Sequence, residues 1–126
     1  MTEAPRTSSS TDRPPPGAPA AIELRNVTKR FRTPSGGTYT ALRNLDLRVD
    51  PGEFCAVVGP TGCGKSTTLT LVSGLERPSS GQALVHGELV SHIRRGTGFV
   101  FQNDAVFPWK SVLDNVCAGP RFRGVP

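Results

Sequence analysis

Residues 59–67, GPTGCGKST, combine three glycines, a lysine and three hydroxyl side chains in nine positions. Gly59, Gly64, Lys65 and Ser66 fit the spacing G-x-x-x-x-G-K-[ST]. A loop that binds phosphate turns its amide N–H groups inward, which needs backbone angles that glycine reaches without penalty. Lysine supplies a point charge for the terminal phosphates, and a hydroxyl oxygen is a ligand that Mg²⁺ prefers. The pattern therefore predicts a site for a nucleoside triphosphate with Mg²⁺.

Such a loop needs a strand before it and a helix after it, and the flanking sequence predicts both. Residues 54–58 are apolar throughout, which is typical of a strand covered on both faces. After Lys65, apolar and small residues recur every three or four positions, which predicts an amphipathic helix that ends at Gly74 or Pro78. The N-terminus of that helix would add free N–H groups and the positive end of its dipole. A flexible linker is a poor explanation for a run with these neighbours.

The rest of the chain predicts further short elements. Alternating residues at 22–25 and 45–49 indicate strands with one solvated face. Turns are predicted at 33–37 and 50–52, and two more strands at 83–85 and 98–101. A helix is predicted over 111–116, with Ser111 as its N-cap and Asp114 three residues later.

Residues 1–20 are rich in serine and proline and contain few apolar side chains. Such a segment cannot bury enough surface to offset its chain entropy, so we predict a disordered tail. It lacks the apolar core of a signal peptide, and no apolar run in the sequence approaches membrane-spanning length. We therefore expect a soluble chain on the cytoplasmic side.

The chain carries a formal charge of +5, with its basic residues scattered. Two small basic clusters, Lys29-Arg30 with nearby Arg32 and Arg94-Arg95, are interpreted as solvated faces, so no nucleic-acid partner is implied. The three cysteines are odd in number and lack metal-ligand spacing, which fits free thiols in a reducing compartment.

Residues 22–126 resemble the N-terminal half of an ABC transporter ATP-binding subunit. The resemblance rests on several short segments in the family's order and spacing: NVTKRF at 26–31, ALRNLDL at 41–47, PGEF at 51–54, SGL at 73–75 and VFQ at 100–102. It implies an α/β P-loop NTPase fold, with a RecA-like core and an antiparallel β subdomain, that is incomplete here. Residues 21–126 would be the N-terminal part of the domain, through the Q-loop and the start of the helical subdomain.

The resemblance assigns a role to each residue of the loop. Lys65 would contact the β- and γ-phosphates, Ser66 would ligate Mg²⁺, and Thr67 would contact the α-phosphate side. The implied ATP contacts in the loop are Gly59, Pro60, Thr61, Gly62, Cys63, Gly64, Lys65, Ser66 and Thr67.

Phe31 lies where the family has an aromatic residue that stacks on adenine. Phenylalanine keeps the π-face that stacking needs. Tyr39 is a second candidate for the same contact, and core packing on the first strand is the alternative role of Phe31.

Gln102, 37 residues after Lys65, occupies the position of the family's Q-loop glutamine. By the resemblance it would touch Mg²⁺ and the attacking water, and its amide can both donate and accept hydrogen bonds. Lys65 and Gln102 are thus the candidate catalytic residues, and Ser66 and Gln102 the candidate metal contacts. A surface glutamine at a strand end is the alternative.

The segment Phe107-Pro108-Trp109 is similar to the nitrate, sulfonate and taurine importer branch, where a Pro-Trp pair follows the Q-loop. Two roles for Trp109 stay open. An exposed indole could help form the groove that receives a transporter's coupling helix, or the side chain could be buried in packing.

The resemblance implies an ATP-binding subunit that couples ATP binding and hydrolysis to import of a small anion such as nitrate, sulfonate or taurine. Its implied partners are a second ATP-binding subunit, a membrane permease through the Q-loop region and, indirectly, a substrate-binding protein. Such a subunit is cytoplasmic and peripheral on the inner face of the cell membrane.

The family's signature motif, Walker B aspartate, catalytic glutamate and switch histidine do not occur in these 126 residues. Hydrolysis by a P-loop ATPase needs a carboxylate for the metal and a group that orients water. We therefore expect a fragment that binds nucleotide weakly without turnover, with a non-catalytic nucleotide-binding remnant as the alternative. A soluble ABC-type ATPase of DNA repair or translation is disfavoured, because the spacing between loop and Q-loop is compact.

Overall fold

A computed structural model describes residues 19–94, 96–103 and 105–125. Its elements, in chain order, are β1 (Ile22–Arg32), β2 (Thr38–Val49), α1 (Lys65–Ser73), β3 (Ser80–Val85), β4 (Glu88–Leu89) and α2 (Val112–Phe122). The strands form one antiparallel sheet in the order β2-β1-β3-β4. Residues 1–18 of the predicted tail lie outside the described residues, whereas Ala20 is described and buried.

The predicted strands at 22–25 and 45–49 are the ends of a long β1–β2 hairpin, closed by the predicted turn at 33–37. A bulge interrupts the pairing between Leu24 and Val27, where Asn26 has a φ of 49° and donates its N–H to the Asp46 carboxylate at 2.7 Å. Strict alternation would place Leu24 and Val27 on opposite faces. The bulge shifts the alternation by one residue, so both side chains enter the core.

Helix α1 supplies the main helical contribution to this core. Leu71 is fully buried and packs in one cluster with Leu24, Val27, Leu42, Ala83 and Val90. The helix ends at Gly74, as predicted, in a left-handed conformation with a φ of 80°. The core therefore joins one face of the antiparallel sheet to the helix that follows the glycine run.

The predicted strand at 83–85 is confirmed as part of β3, whereas the strands predicted at 54–58 and 98–101 are wrong. Phe54 is 92% exposed and Val100 is 96% exposed, and neither segment is in a strand. A strand needs a hydrogen-bonded neighbour, and the four described strands pair only with one another. The apolar pattern at 54–58 was thus not sufficient to form the element.

Lys29 also departs from the prediction of a solvated basic face. Its side chain is only 11% exposed, and its ammonium contacts the Glu76 carboxylate at 2.6 Å. Arg94, from the second predicted cluster, is half-buried and pairs with Glu88 at 2.8 Å.

Helix α2 begins as predicted but runs further than residue 116. The Ser111 hydroxyl accepts from the Asp114 N–H at 3.1 Å and donates to the Asp114 carboxylate at 2.7 Å. Arg121 donates to the same carboxylate at 2.7 Å.

No helix in the described part of the chain is long and apolar enough to cross a membrane.

We expect Gly74→Ala to destabilise the protein more than Gly36→Ala. Both glycines have positive φ, at 80° and 83°, but a Cβ at Gly74 would lie 2.6 Å from the His92 carbonyl carbon, whereas one at Gly36 meets nothing within 4 Å. Left-handed backbone alone costs an alanine about 1 kcal/mol, and the added clash raises the loss at Gly74 to about 2–4 kcal/mol. Urea unfolding of both variants measures the difference, and equal losses would contradict the close contact.

The pKa of the Asp114 carboxyl is lowered, first by the hydrogen bond from Ser111 and then by Arg121. Because the folded-state pKa is the lower one, this stabilisation is present above the ordinary aspartate pKa of about 4 and is lost as the pH falls through the lowered value. We expect Ser111→Ala to move the Asp114 pKa back towards its ordinary value, which an NMR titration measures. Gly36→Ala is the control, and an unchanged pKa in Ser111→Ala would show that the hydroxyl is not the cause.

Candidate nucleotide-binding site

The side chain of Lys65, the residue that follows the loop at 59–64, folds back and binds the loop's carbonyl groups. The Lys65 ammonium donates to the Gly59 carbonyl at 2.8 Å and to the Pro60 carbonyl at 2.7 Å, and it lies 3.6 Å from the Cys63 sulfur. These acceptors are neutral, and among the residues that the structure describes no carboxylate forms an ion pair with Lys65. The loop therefore holds a full positive charge at its centre.

Gly64 is the N-cap of α1 and sits directly against β2. It has a φ of 100°, and a Cβ at this position would lie 2.9 Å from the Ala41 carbonyl oxygen and 2.5 Å from the Leu42 side chain. Only glycine combines this backbone angle with this approach. The close contact fixes where the helix begins relative to the hairpin.

The first turn of α1 presents unpaired donors beside that charge. The Thr68 N–H closes the turn by donating to the Gly64 carbonyl at 2.9 Å, and its hydroxyl donates to the same oxygen at 3.0 Å. The N–H groups of Lys65, Ser66 and Thr67 have no partner within the helix, as in any helical first turn. The first turn contains no acidic residue, so the helix dipole and the Lys65 ammonium both favour an anionic ligand at this end of α1.

An open pocket of about 240 Å³ lies over this helix end. Its floor comes from the loop and α1, and its wall from the β1–β2 hairpin. The lining residues are Phe31, Tyr39, Ala41, Gly62, Gly64, Lys65, Ser66 and Thr67.

Phe31 and Tyr39 are direct cross-strand partners in the β1–β2 ladder, which is why both reach one wall. Tyr39 is 52% exposed and its hydroxyl lies 3.5 Å from the Gly62 carbonyl oxygen. Phe31 is half-buried, and the Lys29 ammonium lies 4.8 Å from its ring centroid. The structure thus places both predicted aromatic candidates at the pocket.

The remaining predicted residues fall into two groups. Gly59, Pro60, Thr61 and Cys63 form the loop around the Lys65 ammonium without lining the pocket. Gln102 is exposed and lies outside the described residues that line the pocket, so its predicted catalytic and metal roles stay predictions.

Sequence reasoning missed Ala41 in the pocket wall and Leu42 beneath Gly64. Either could be found only from the pairing of β1 with β2, which the two register shifts near residues 27–30 obscure. The segment ALRNLDL at 41–47 contains both residues, but the resemblance assigned neither of them a role at the nucleotide.

Trp109 is 76% exposed, which excludes the buried packing role in the described structure. Its ring lies 5.6 Å from that of Phe107, which in turn contacts Phe122 at 6.4 Å. The indole is therefore held by aromatic neighbours while its surface faces outward.

The donor set fits a triphosphate with Mg²⁺. Unpaired helix N–H groups and an ammonium suit phosphate oxygens, an aromatic wall suits a base, and the Ser66 hydroxyl is an oxygen ligand for the metal. No carboxylate is among the lining residues. The described pocket therefore offers groups that bind and orient a nucleotide.

Comparison with known proteins supports this assignment. The sequence model of a family described as ABC transporter matches residues 42–124. The chain is 43% identical, over 87% of its length, to the spermidine/putrescine import ATP-binding protein PotA of Rubrobacter xylanophilus, and it covers 29% of that protein. It is 39% identical, over 83% of its length, to the taurine import ATP-binding protein TauB of Ruegeria pomeroyi, and it covers 39% of that protein.

A solved structure supports the same family assignment. The dimeric ATP-binding cassette MJ0796, in a post-hydrolysis state bound to ADP and Pi, aligns with a TM-score of 0.72 and 30% identity over 81% of this chain and 47% of the cassette. The chain thus spans less than half the length of the proteins that it matches here. The predicted P-loop NTPase fold is confirmed, and relatives named for polyamine and for taurine import both match, so no single importer branch is singled out. With its family model, its relatives and its fold in agreement, the chain belongs to the ABC transporter family.

Proposed function

We propose that this chain is the nucleotide-binding part of an importer's ATP-binding subunit and that it binds ATP with Mg²⁺ through residues 59–67. One observation carries the proposal: the loop, the N-terminus of α1 and an aromatic wall line a single pocket. Loop or wall alone would be compatible with many functions. Together they provide for the phosphates and the base of one ligand.

In this proposal Lys65 exchanges the Gly59 and Pro60 carbonyls for the β- and γ-phosphates. The exchange is favourable because a charged acceptor replaces two neutral ones. Ser66 would ligate Mg²⁺ and Thr67 would contact the α-phosphate side. Magnesium, when bound, neutralises charge on the terminal phosphates.

Phe31 and Tyr39 would hold adenine against the pocket wall. Phe31 is the better placed, because its ring is already held by Lys29 and half-buried, whereas Tyr39 is more exposed. A fixed ring loses less conformational freedom when a base stacks on it.

The wider role follows the family. We propose that the chain pairs with a second ATP-binding subunit and contacts a membrane permease through the Gln102 region, with a substrate-binding protein as an indirect partner. The exposed Trp109 would help form the groove that receives the permease's coupling helix. The subunit would then lie on the cytoplasmic, inner face of the membrane as a peripheral protein.

The finer proposal, import of a small anion such as nitrate, sulfonate or taurine, rests on the sequence resemblance of the Phe107-Pro108-Trp109 segment, and of the closing residues 121–126, to that importer branch. Relatives named for polyamine import and for taurine import have similar identity to this chain.

A nucleotide-binding role without hydrolysis is the second candidate function. The lining of the described pocket favours it, because that lining contains a lysine and hydroxyls but no carboxylate.

We expect Lys65→Met to weaken Mg-ATP binding by about 10- to 100-fold, since a charge-assisted contact is lost. Isothermal titration calorimetry of the purified protein measures this. Arg123→Met removes the same charge from an exposed position after α2 and should leave the affinity unchanged. Equal affinity of Lys65→Met and the unaltered protein would refute the proposed site.

We expect the 126-residue chain by itself to bind Mg-ATP without turning it over. A phosphate-release assay, run at ATP concentrations above the measured Kd, tests this expectation. The control is the same assay with Lys65→Met, which identifies contaminating ATPase. Turnover that the lysine substitution abolishes would show that the described pocket is sufficient for hydrolysis.

A further inference from the structure

Lys29 is the one buried lysine among the described residues. Lysine is rarely buried unless it is paired, because its ammonium loses hydration. Here the ammonium donates to the Glu76 carboxylate at 2.6 Å and to the Arg77 carbonyl at 2.9 Å. Both acceptors follow the C-terminal end of α1, so a side chain of β1 is anchored beyond the far end of the helix.

The same ammonium lies 4.8 Å from the ring centroid of Phe31, two residues further along β1. Phe31 lines the nucleotide pocket, whereas Lys29 does not. A cation over one face of an aromatic ring attracts that ring and restrains it. The anchored lysine thus contacts a residue of the pocket wall without lining the pocket itself.

We propose that Lys29 is a positioning residue that holds the Phe31 ring for contact with the base of the nucleotide, with Glu76 and the Arg77 carbonyl fixing its ammonium. The inference rests on the proposed nucleotide-binding function. It makes α1 a link between two parts of one site: its N-terminus forms the phosphate floor, and the segment after it fixes the aromatic wall.

A purely structural role for Lys29 would affect all ligands of the pocket alike. A positioning role for Phe31 affects only ligands that carry a base. Mg-ATP and Mg-tripolyphosphate separate the two, because tripolyphosphate presents the phosphates without the base.

We expect Lys29→Met to weaken Mg-ATP binding about three- to tenfold, the range of a partly desolvated cation–π contact, and to leave tripolyphosphate binding within about twofold. Calorimetry with the purified protein measures both Kd values. Arg30→Met, at the exposed neighbouring position on the same strand, is the control and should change neither value. Lys29→Arg keeps the cation and should restore ATP binding.

A double substitution sharpens the test. In a Phe31→Leu background, Lys29→Met should have no further effect on ATP binding, because the ring through which it acts is gone. Full additivity, an equal loss for both ligands, or no loss for either would overturn the proposal.

Glu76→Gln provides a second variant, for the case in which Lys29→Met does not fold. The Glu76 side chain is 43% exposed, so its neutral form is tolerated, and the weaker, uncharged anchor of the Lys29 ammonium should give a smaller loss confined to ATP. Unchanged ATP binding would count against the anchor. If the unaltered protein binds neither ligand, the proposed function fails and this inference fails with it; if it binds both and the variants show no selectivity, this inference alone fails.

Discussion

The contact between Gly64 and β2 is the constraint on which the site depends. A methyl group at this position would meet the Ala41 carbonyl and the Leu42 side chain, so the backbone can approach the hairpin only as glycine. That approach sets the first turn of α1 beside the strand that carries Tyr39 and Ala41. Without it, phosphate floor and aromatic wall would belong to separate surfaces. The absence of a side chain at Gly64 thus allows the loop, α1 and the hairpin to line a single pocket.

Two lysines stabilise that arrangement by opposite means. Lys65 is bound to carbonyls of its own loop and keeps its charge uncompensated in the pocket floor. Lys29 is compensated by Glu76 and is withdrawn from solvent. A paired lysine in the core costs desolvation that its partner offsets, whereas an unpaired one near the surface remains available to an anionic ligand. Both residues are lysines, so it is burial and ion pairing that distinguish the structural role of Lys29 from the binding role proposed for Lys65.

The sequence predicted the parts of the fold that depend on local chemistry. The glycine loop, the start of α1 at Lys65, its end at Gly74 and the Ser111 cap all follow from residues within a few positions of one another. The absence of a strand at 54–58 could not be predicted in the same way, because a ladder depends on a neighbouring strand and the local apolar pattern carries no information about one. The partnership of Phe31 with Tyr39 likewise depends on bulges that shift the register of β1, and the burial of Lys29 depends on Glu76, 47 residues away.

Within the described residues, the exposed apolar segments at 54–58 and 98–101 lie outside the core that supports the pocket. The pocket is formed by the β1–β2 hairpin, the loop and α1, and the hairpin and α1 share a core that includes Leu24, Val27, Leu42 and Leu71. Phe54 and Val100, both almost fully exposed, contribute nothing to that core. Packing at 54–58 would therefore act on the nucleotide site through the short connection from this segment into the loop. Because Gly64 is held against β2 and Lys65 against its own loop, the geometry of the phosphate floor is fixed by contacts that lie after this connection.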